Sequence, residues 1–275
     1  MKYGIISLDY KLLPLEMCFS LAAKYRFDGV EIFGCRKHMF YKDVDEAFIY
    51  RLSQLRDTYK LEVPMYTPCA IGLPLCLASN KAAEREDGIA YFTKAIEAAA
   101  KTQIPRVLVV ADHPGMDANK EDSFHHFADS IYKLTRVGER EGIKIVVEPL
   151  TPQESPVITT ALDCANLIRE INSPALCAML DVAVPTVVGE RMENYFELLG
   201  DRLEYVHICN SNGITDAHFR LDKGVLQMKD VFSLLDRYKY QGYVTSELYS
   251  ETDINTEKLM ADTSAYIDAL RRRER

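Results

Sequence analysis

Residues 143–150 read IKIVVEPL, an aliphatic run through Ile145, Val146 and Val147 that ends on the carboxylate of Glu148. A short continuous apolar run bounded by turn residues is the pattern of a strand buried on both faces, as in parallel sheets. Nothing in such a strand accounts for Glu148. A buried carboxylate without a partner is costly, so Glu148 must reach solvent, pair with a cation or bind a metal.

The same pattern recurs along the chain. Strands are predicted at Tyr3 to Ile6, Gly29 to Phe33, Glu62 to Tyr66, Val107 to Ala111, Lys144 to Glu148, Cys177 to Val182, Tyr205 to Cys209 and Tyr243 to Leu248. Amphipathic segments lie between them, among them KAAEREDGIAYFTKAIEAAAKT from Lys81 and EDSFHHFADSIYKLTRVGERE from Glu121, both rich in helix formers. Eight strands alternating with helices in 275 residues predict one α/β domain over residues 1–275, a single (β/α)8 TIM barrel. A doubly wound open sheet is the alternative, but no glycine-rich phosphate fingerprint follows any strand.

Composition narrows the function. A net charge of −8 argues against nucleic acid as a partner, and no apolar stretch approaches the roughly 20 residues that span a bilayer. The start MKYGIISLDY reads as a strand rather than a signal peptide, so a cytoplasmic location is expected. Seven cysteines without a CxxC pair read as reduced core thiols. The terminal RRRER reads as a solvated helix end.

In a parallel barrel the reactive side chains sit at the C-terminal ends of the strands. CAMLDV delivers Asp181 there, YVHICN delivers His207 and YVTSEL delivers Glu247. With Glu148 these make three carboxylates and an imidazole on four consecutive strands, a set able to enclose one divalent cation. Mixed oxygen and nitrogen donors suit Mn²⁺, Co²⁺, Mg²⁺, Fe²⁺ or Ni²⁺, with Zn²⁺ an outlying choice. Singly, each would read more simply: a lone strand histidine as core, a lone strand-end aspartate as a helix cap. Their recurrence at successive strand ends favours the metal.

The stretches VVEPLTPQES, MLDV, YVHICNSNGITDAH and GYVTSELY, with YRFDGVEIFG and MYTP earlier, resemble the sugar isomerase and epimerase superfamily of xylose-isomerase-like TIM barrels. Within it they resemble the bacterial fructoselysine 3-epimerases. The resemblance implies a divalent metal held by Glu148, Asp181, His207 and Glu247, with Glu148 and Glu247 also moving protons at C3 of a ketose through an enediolate. The sequence departs from the pattern where substrate would be gripped: Val184 replaces a histidine three residues after the metal aspartate, Asn210 replaces an aspartate, and LDKG replaces a Pro-Gly-Glu-Gly turn.

Candidate substrate contacts are Glu154 beyond the turn, His113 in ADHPG, Tyr66, and the loop cations Arg220 and Lys223, which predict a ketose with a charged arm such as a fructosamine. His125 and His126 fall within a predicted helix and carry no role. An aldose-ketose isomerase or inosose dehydratase could use the same metal site. An abasic-site endonuclease would want more strand-end histidines, and a silent sugar-binding protein need not keep four ligands. A small sugar is the expected partner, and a homo-oligomer is compatible with the chain.

Overall fold

The computed structural model describes residues 1–251 and 255–273. Eight strands, β1 (Lys2–Ile6), β2 (Gly29–Gly34), β3 (Tyr66–Pro68), β4 (Arg106–Val109), β5 (Lys144–Val147), β6 (Leu176–Asp181), β7 (Leu203–Ile208) and β8 (Tyr243–Ser246), form a closed barrel in chain order. Every pair is parallel, and β1 closes on β8 through Lys2 opposite Tyr243. The helices α1 (Leu15–Lys24), α2 (Glu46–Tyr59), α3 (Ala82–Lys101), α4 (Lys120–Glu141), α5 (Ala161–Ile171), α6 (Ala183–Val188), α7 (Glu193–Leu199), α8 (Met228–Arg237) and α9 (Thr256–Arg273) lie between and after the strands.

Local signals set several boundaries. Asn119 caps α4 by accepting from the amides of Glu121 and Asp122, and Gly142 ends it at φ 70°, a left-handed turn that glycine adopts without strain. That tight exit feeds straight into β5. Thr160 and Asp163 close a reciprocal capping box at the start of α5.

One predicted strand is misplaced. Residues 62–65 are not strand apart from an isolated bridge of Glu62 to Gly29, and β3 begins at Tyr66. Pro64 has no amide to give a ladder, which confines regular pairing to the segment beyond it. Strand four likewise ends at Val109, so His113 stands four residues past it. The side chains of the RRRER end lie outside the described residues.

Candidate metal centre and substrate pocket

The ends of β5 to β8 hold their side chains in fixed register. Asp181 and His207 are Cα partners across β6 and β7. Glu148 and Glu247 stand one residue beyond β5 and β8, yet their amides still donate to Val109 and Ile208, at 3.2 and 3.1 Å. Leu248 N–H then donates to both oxygens of buried Asp9, which pins the chain just past Glu247.

The four predicted residues converge. Glu148, Asp181, His207 and Glu247 are 9, 2, 1 and 8 % exposed, and they offer ligand atoms all within 4.8 Å of one another. His207 Nδ1 stands 3.2 Å from Glu148 Oε1 and 3.0 Å from Glu247 Oε2, with no hydrogen bond aligned to either. A buried ring nitrogen turned toward two carboxylates in this way is placed to share a cation with them. The donor set therefore fits a hard or borderline divalent ion.

Electrostatics fit the same reading. Burial pushes the Glu148 carboxyl up to about 8, against the pull of His207, with Glu247 adding repulsion. Burial opposes a charge on Asp181, but His218, His207 and the Ala183 amide together hold it below the usual carboxylate range. Burial also opposes the His207 cation, and Glu31 and Glu247 overcome it, raising that imidazole well above its ordinary value.

Several residues of the site were not anticipated. Glu31 on β2 is fully buried and takes His207 Nε2 at 2.9 Å, while its other oxygen accepts from the Thr67 hydroxyl. That bond fixes the tautomer so that Nδ1 faces the carboxylates, the arrangement that orients histidine ligands in metal proteins. Glu31 gave the signal that singled out Glu148, a carboxylate in an apolar run, but it lies mid-strand rather than at an end. His218 Nε2 reaches Asp181 Oδ2 at 2.9 Å, and its ring packs edge-on against Tyr249. Asp216 lies 3.8 Å from His218 and accepts from the Tyr249 hydroxyl. These loop residues follow no periodicity that could have announced them.

A cavity of about 320 Å³ is lined by Glu148, Asp181 and Glu247. Its lining combines polar side chains, Glu154, Asp216, His218 and Tyr249, with apolar ones, Phe33, Leu108, Val110, Leu150 and Val184. Glu154 thus lines the cavity, where burial and then neighbouring Asp216 push its carboxyl up to about 8.

The other expected contacts do not reach it. Tyr66 is fully buried and donates its hydroxyl to Met39 O, because strand alternation turns Thr67 rather than Tyr66 toward the site. His113 Nδ1 accepts from the Gly115 amide within its own turn. Arg220 pairs with Asp222 and Asp262, and Lys223 pairs with Glu251. Neither lines the cavity, so their assignment to substrate is withdrawn. Lys11, in the loop after β1, is the lysine or arginine that does line it among the described residues. The departures at Asn210 and LDKG prove structural. The Asn210 amide donates to Leu221 O and Leu226 O, and its oxygen accepts from Ser211 and Leu226. Gly224, at φ 146°, lies so close that a Cβ there would fall 2.2 Å from the Asn210 oxygen.

A closed parallel barrel carries, at its C-terminal mouth, three carboxylates and a histidine that could hold a metal, and that is the architecture of a barrel enzyme. The chain belongs to the xylose isomerase-like TIM barrel family, whose model matches residues 19–270. It is 31% identical over 249 residues, 90% of either chain, to the fructoselysine 3-epimerase of Shigella flexneri. It is 30% identical, again over 90% of either chain, to that of Escherichia coli O157:H7. The structure of D-psicose 3-epimerase from Clostridium cellulolyticum H10 superposes with a TM-score of 0.83 over 98% of both chains at 15% identity, a likeness of fold.

Proposed function

We propose that this chain is a divalent-cation-dependent 3-epimerase of a ketose, with a fructosamine such as fructoselysine as the substrate class. The observation that carries the reading is the convergence of Glu148 and Glu247 on one buried cation-type donor set, in a chain 31% identical to an enzyme named for that reaction.

The hydrogen on C3 is next to the C2 ketone and weakly acidic. Glu148, Asp181, His207 and Glu247 would hold a divalent cation, which when bound would supply Lewis-acid stabilisation of negative charge on the substrate. Of the two glutamates, one takes the C3 proton and the other delivers a proton to the opposite face, which inverts that centre. Glu31 keeps His207 in the tautomer that leaves Nδ1 free to bind, and His218 steadies Asp181. Glu154 is set to accept from a sugar hydroxyl. The apolar lining residues Leu108, Val110, Leu150 and Val184 limit the access of bulk water to the reacting carbons. Lys11 offers a cation to an anionic arm at the mouth. The partner is a small sugar, and reduced thiols accord with action in the cytoplasm.

The test is proton NMR of fructoselysine, fructose and tagatose incubated in D2O with the Mn²⁺- or Mg²⁺-loaded protein. The expected result is deuterium at C3 together with the C3 epimer. An aldose product, or loss of water from the sugar, would move the chain to the isomerase or dehydratase reading on the same site.

A further inference from the structure

Cys209 has no part in the proposed epimerisation, yet it stands beside the donor set. It follows His207 by two residues, so strand alternation carries both side chains toward the barrel interior. Its thiol is fully buried and lies 4.0 Å from Asp181 Oδ1. The other oxygen of the same carboxylate, Oδ2, is 2.9 Å from His218 Nε2. The ligand atoms of Asp181, Cys209 and His218 all fall within 4.8 Å of one another. Among the described residues His218 Nδ1 is buried without a hydrogen-bond partner and stands 4.0 Å from Glu247 Oε2, while Nε2 faces Asp181 at 2.9 Å and Asp216 at 3.8 Å, and the ring can exchange the Asp181 bond for a metal.

We infer a second cation site made by Asp181, Cys209 and His218, selective for a thiophilic divalent ion such as Zn²⁺ or Cd²⁺. One sulfur, one nitrogen and one oxygen donor suit such ions, whereas Mg²⁺ and Mn²⁺ prefer the all-oxygen-and-imidazole set next door. Binding forms metal–sulfur, metal–nitrogen and metal–oxygen bonds. It releases the Cys209 thiol proton to water in the cavity, while the neutral His218 ring moves its proton from Nε2 to Nδ1 and so frees the Nε2 lone pair for the ion. Asp181 belongs to both sets, so a soft ion at Cys209 draws it away from Glu148, His207 and Glu247. The site thereby makes the protein sensitive to thiophilic ions. The competition with Mn²⁺ rests on the proposed catalytic set; the thiolate site does not.

The experiment titrates the metal-depleted full chain with Cd²⁺ and follows the ultraviolet sulfur-to-cadmium charge-transfer absorption, with Mn²⁺ affinity measured in parallel by electron paramagnetic resonance. The expected band saturates at one equivalent, disappears in Cys209→Ser and Cys209→Ala, and persists in the control Cys164→Ser. The first equivalent of Cd²⁺ weakens Mn²⁺ binding in the wild type more than in Cys209→Ser. Circular dichroism of both variants establishes that they are folded. A missing band, or one that survives in folded Cys209→Ser, overturns the proposal. A Cys209-dependent band in a protein that binds no Mn²⁺ would instead uphold this site and refute the four-residue one.

Discussion

Glu31 shows how one side chain outside the donor set governs it. Its carboxylate holds His207 Nε2, and Thr67 holds the carboxylate, so the imidazole cannot turn its lone pair away from the site. Replacing such a partner typically lowers metal affinity by about 10- to 100-fold. Glu31→Ala should therefore weaken Mn²⁺ binding by that factor in isothermal titration calorimetry, while Glu31→Gln, whose oxygen can still accept from Nε2, should retain most of it. An unchanged affinity in Glu31→Ala would mean that His207 is not a ligand. Affinity should also depend on pH. Glu148 in the cation-free protein holds its proton up to about pH 8, and the ion must displace it. Mn²⁺ affinity should then fall by about tenfold or more for each pH unit below that value, and go on rising above it, because the His207 imidazole, also raised well above its ordinary value, must give up a proton too. Glu148→Gln and Glu247→Gln, saturated with metal, should lose turnover by at least about 100-fold, because each removes a proton carrier as well as a ligand; near-normal rates would exclude the two-glutamate mechanism.

At the opposite end of the barrel, the elements are tied by a different charge cluster. Glu204 on β7 bonds Arg106 at the start of β4 and Lys144 at the start of β5, with contacts of 2.6 to 2.9 Å. Arg106 also donates to Pro64 O before β3. Burial works against the Glu204 charge, but Lys144 and Arg106 outweigh it and hold the carboxyl below its ordinary 4.5. A depressed folded pKa contributes stability that is present above the unfolded value and is lost as pH falls through the folded one. Glu204→Gln should cost about 1 to 3 kcal/mol at neutral pH in urea unfolding, and the difference from wild type should shrink as pH falls below 4.5. A difference independent of pH would assign the effect to packing.

The loops tell the complementary story. Arg220 and Lys223 spend their charge on Asp222, Asp262 and Glu251, whereas Lys11 faces the cavity without an ion pair among the described residues. Lys11→Met should lower kcat/KM for a carboxylate-bearing fructosamine, relative to fructose, by about tenfold, the size of one charge-assisted contact of ~1.4 kcal/mol. Arg220→Ala should leave that ratio alone. The reverse result would return the role to the loop after β7.

For the molecule as a whole, a cation bound by four strand ends would link half of the barrel. At 100 times its Kd such an ion stabilises the fold by about 2.7 kcal/mol, which should raise Tm by roughly 5 to 10 °C in a domain of this size. Calorimetry with Mn²⁺ and then a chelator measures the shift; Glu247→Ala should abolish it. The sequence by itself determined the barrel and its donor set. Apolar runs spaced by amphipathic segments specify βα units, and right-handed crossovers put consecutive strands side by side, so polar residues ending four successive strands must meet. Only the tertiary structure decided what surrounds them. Glu31 reaches His207 across 176 residues because the barrel closes on itself. His218 folds back onto Asp181, with Asp216 beside it, from an aperiodic loop. Arg220 lies against Asp262 rather than over the cavity. Strand order follows from local pattern and chirality, but such contacts depend on ring closure and loop packing, which no local period encodes.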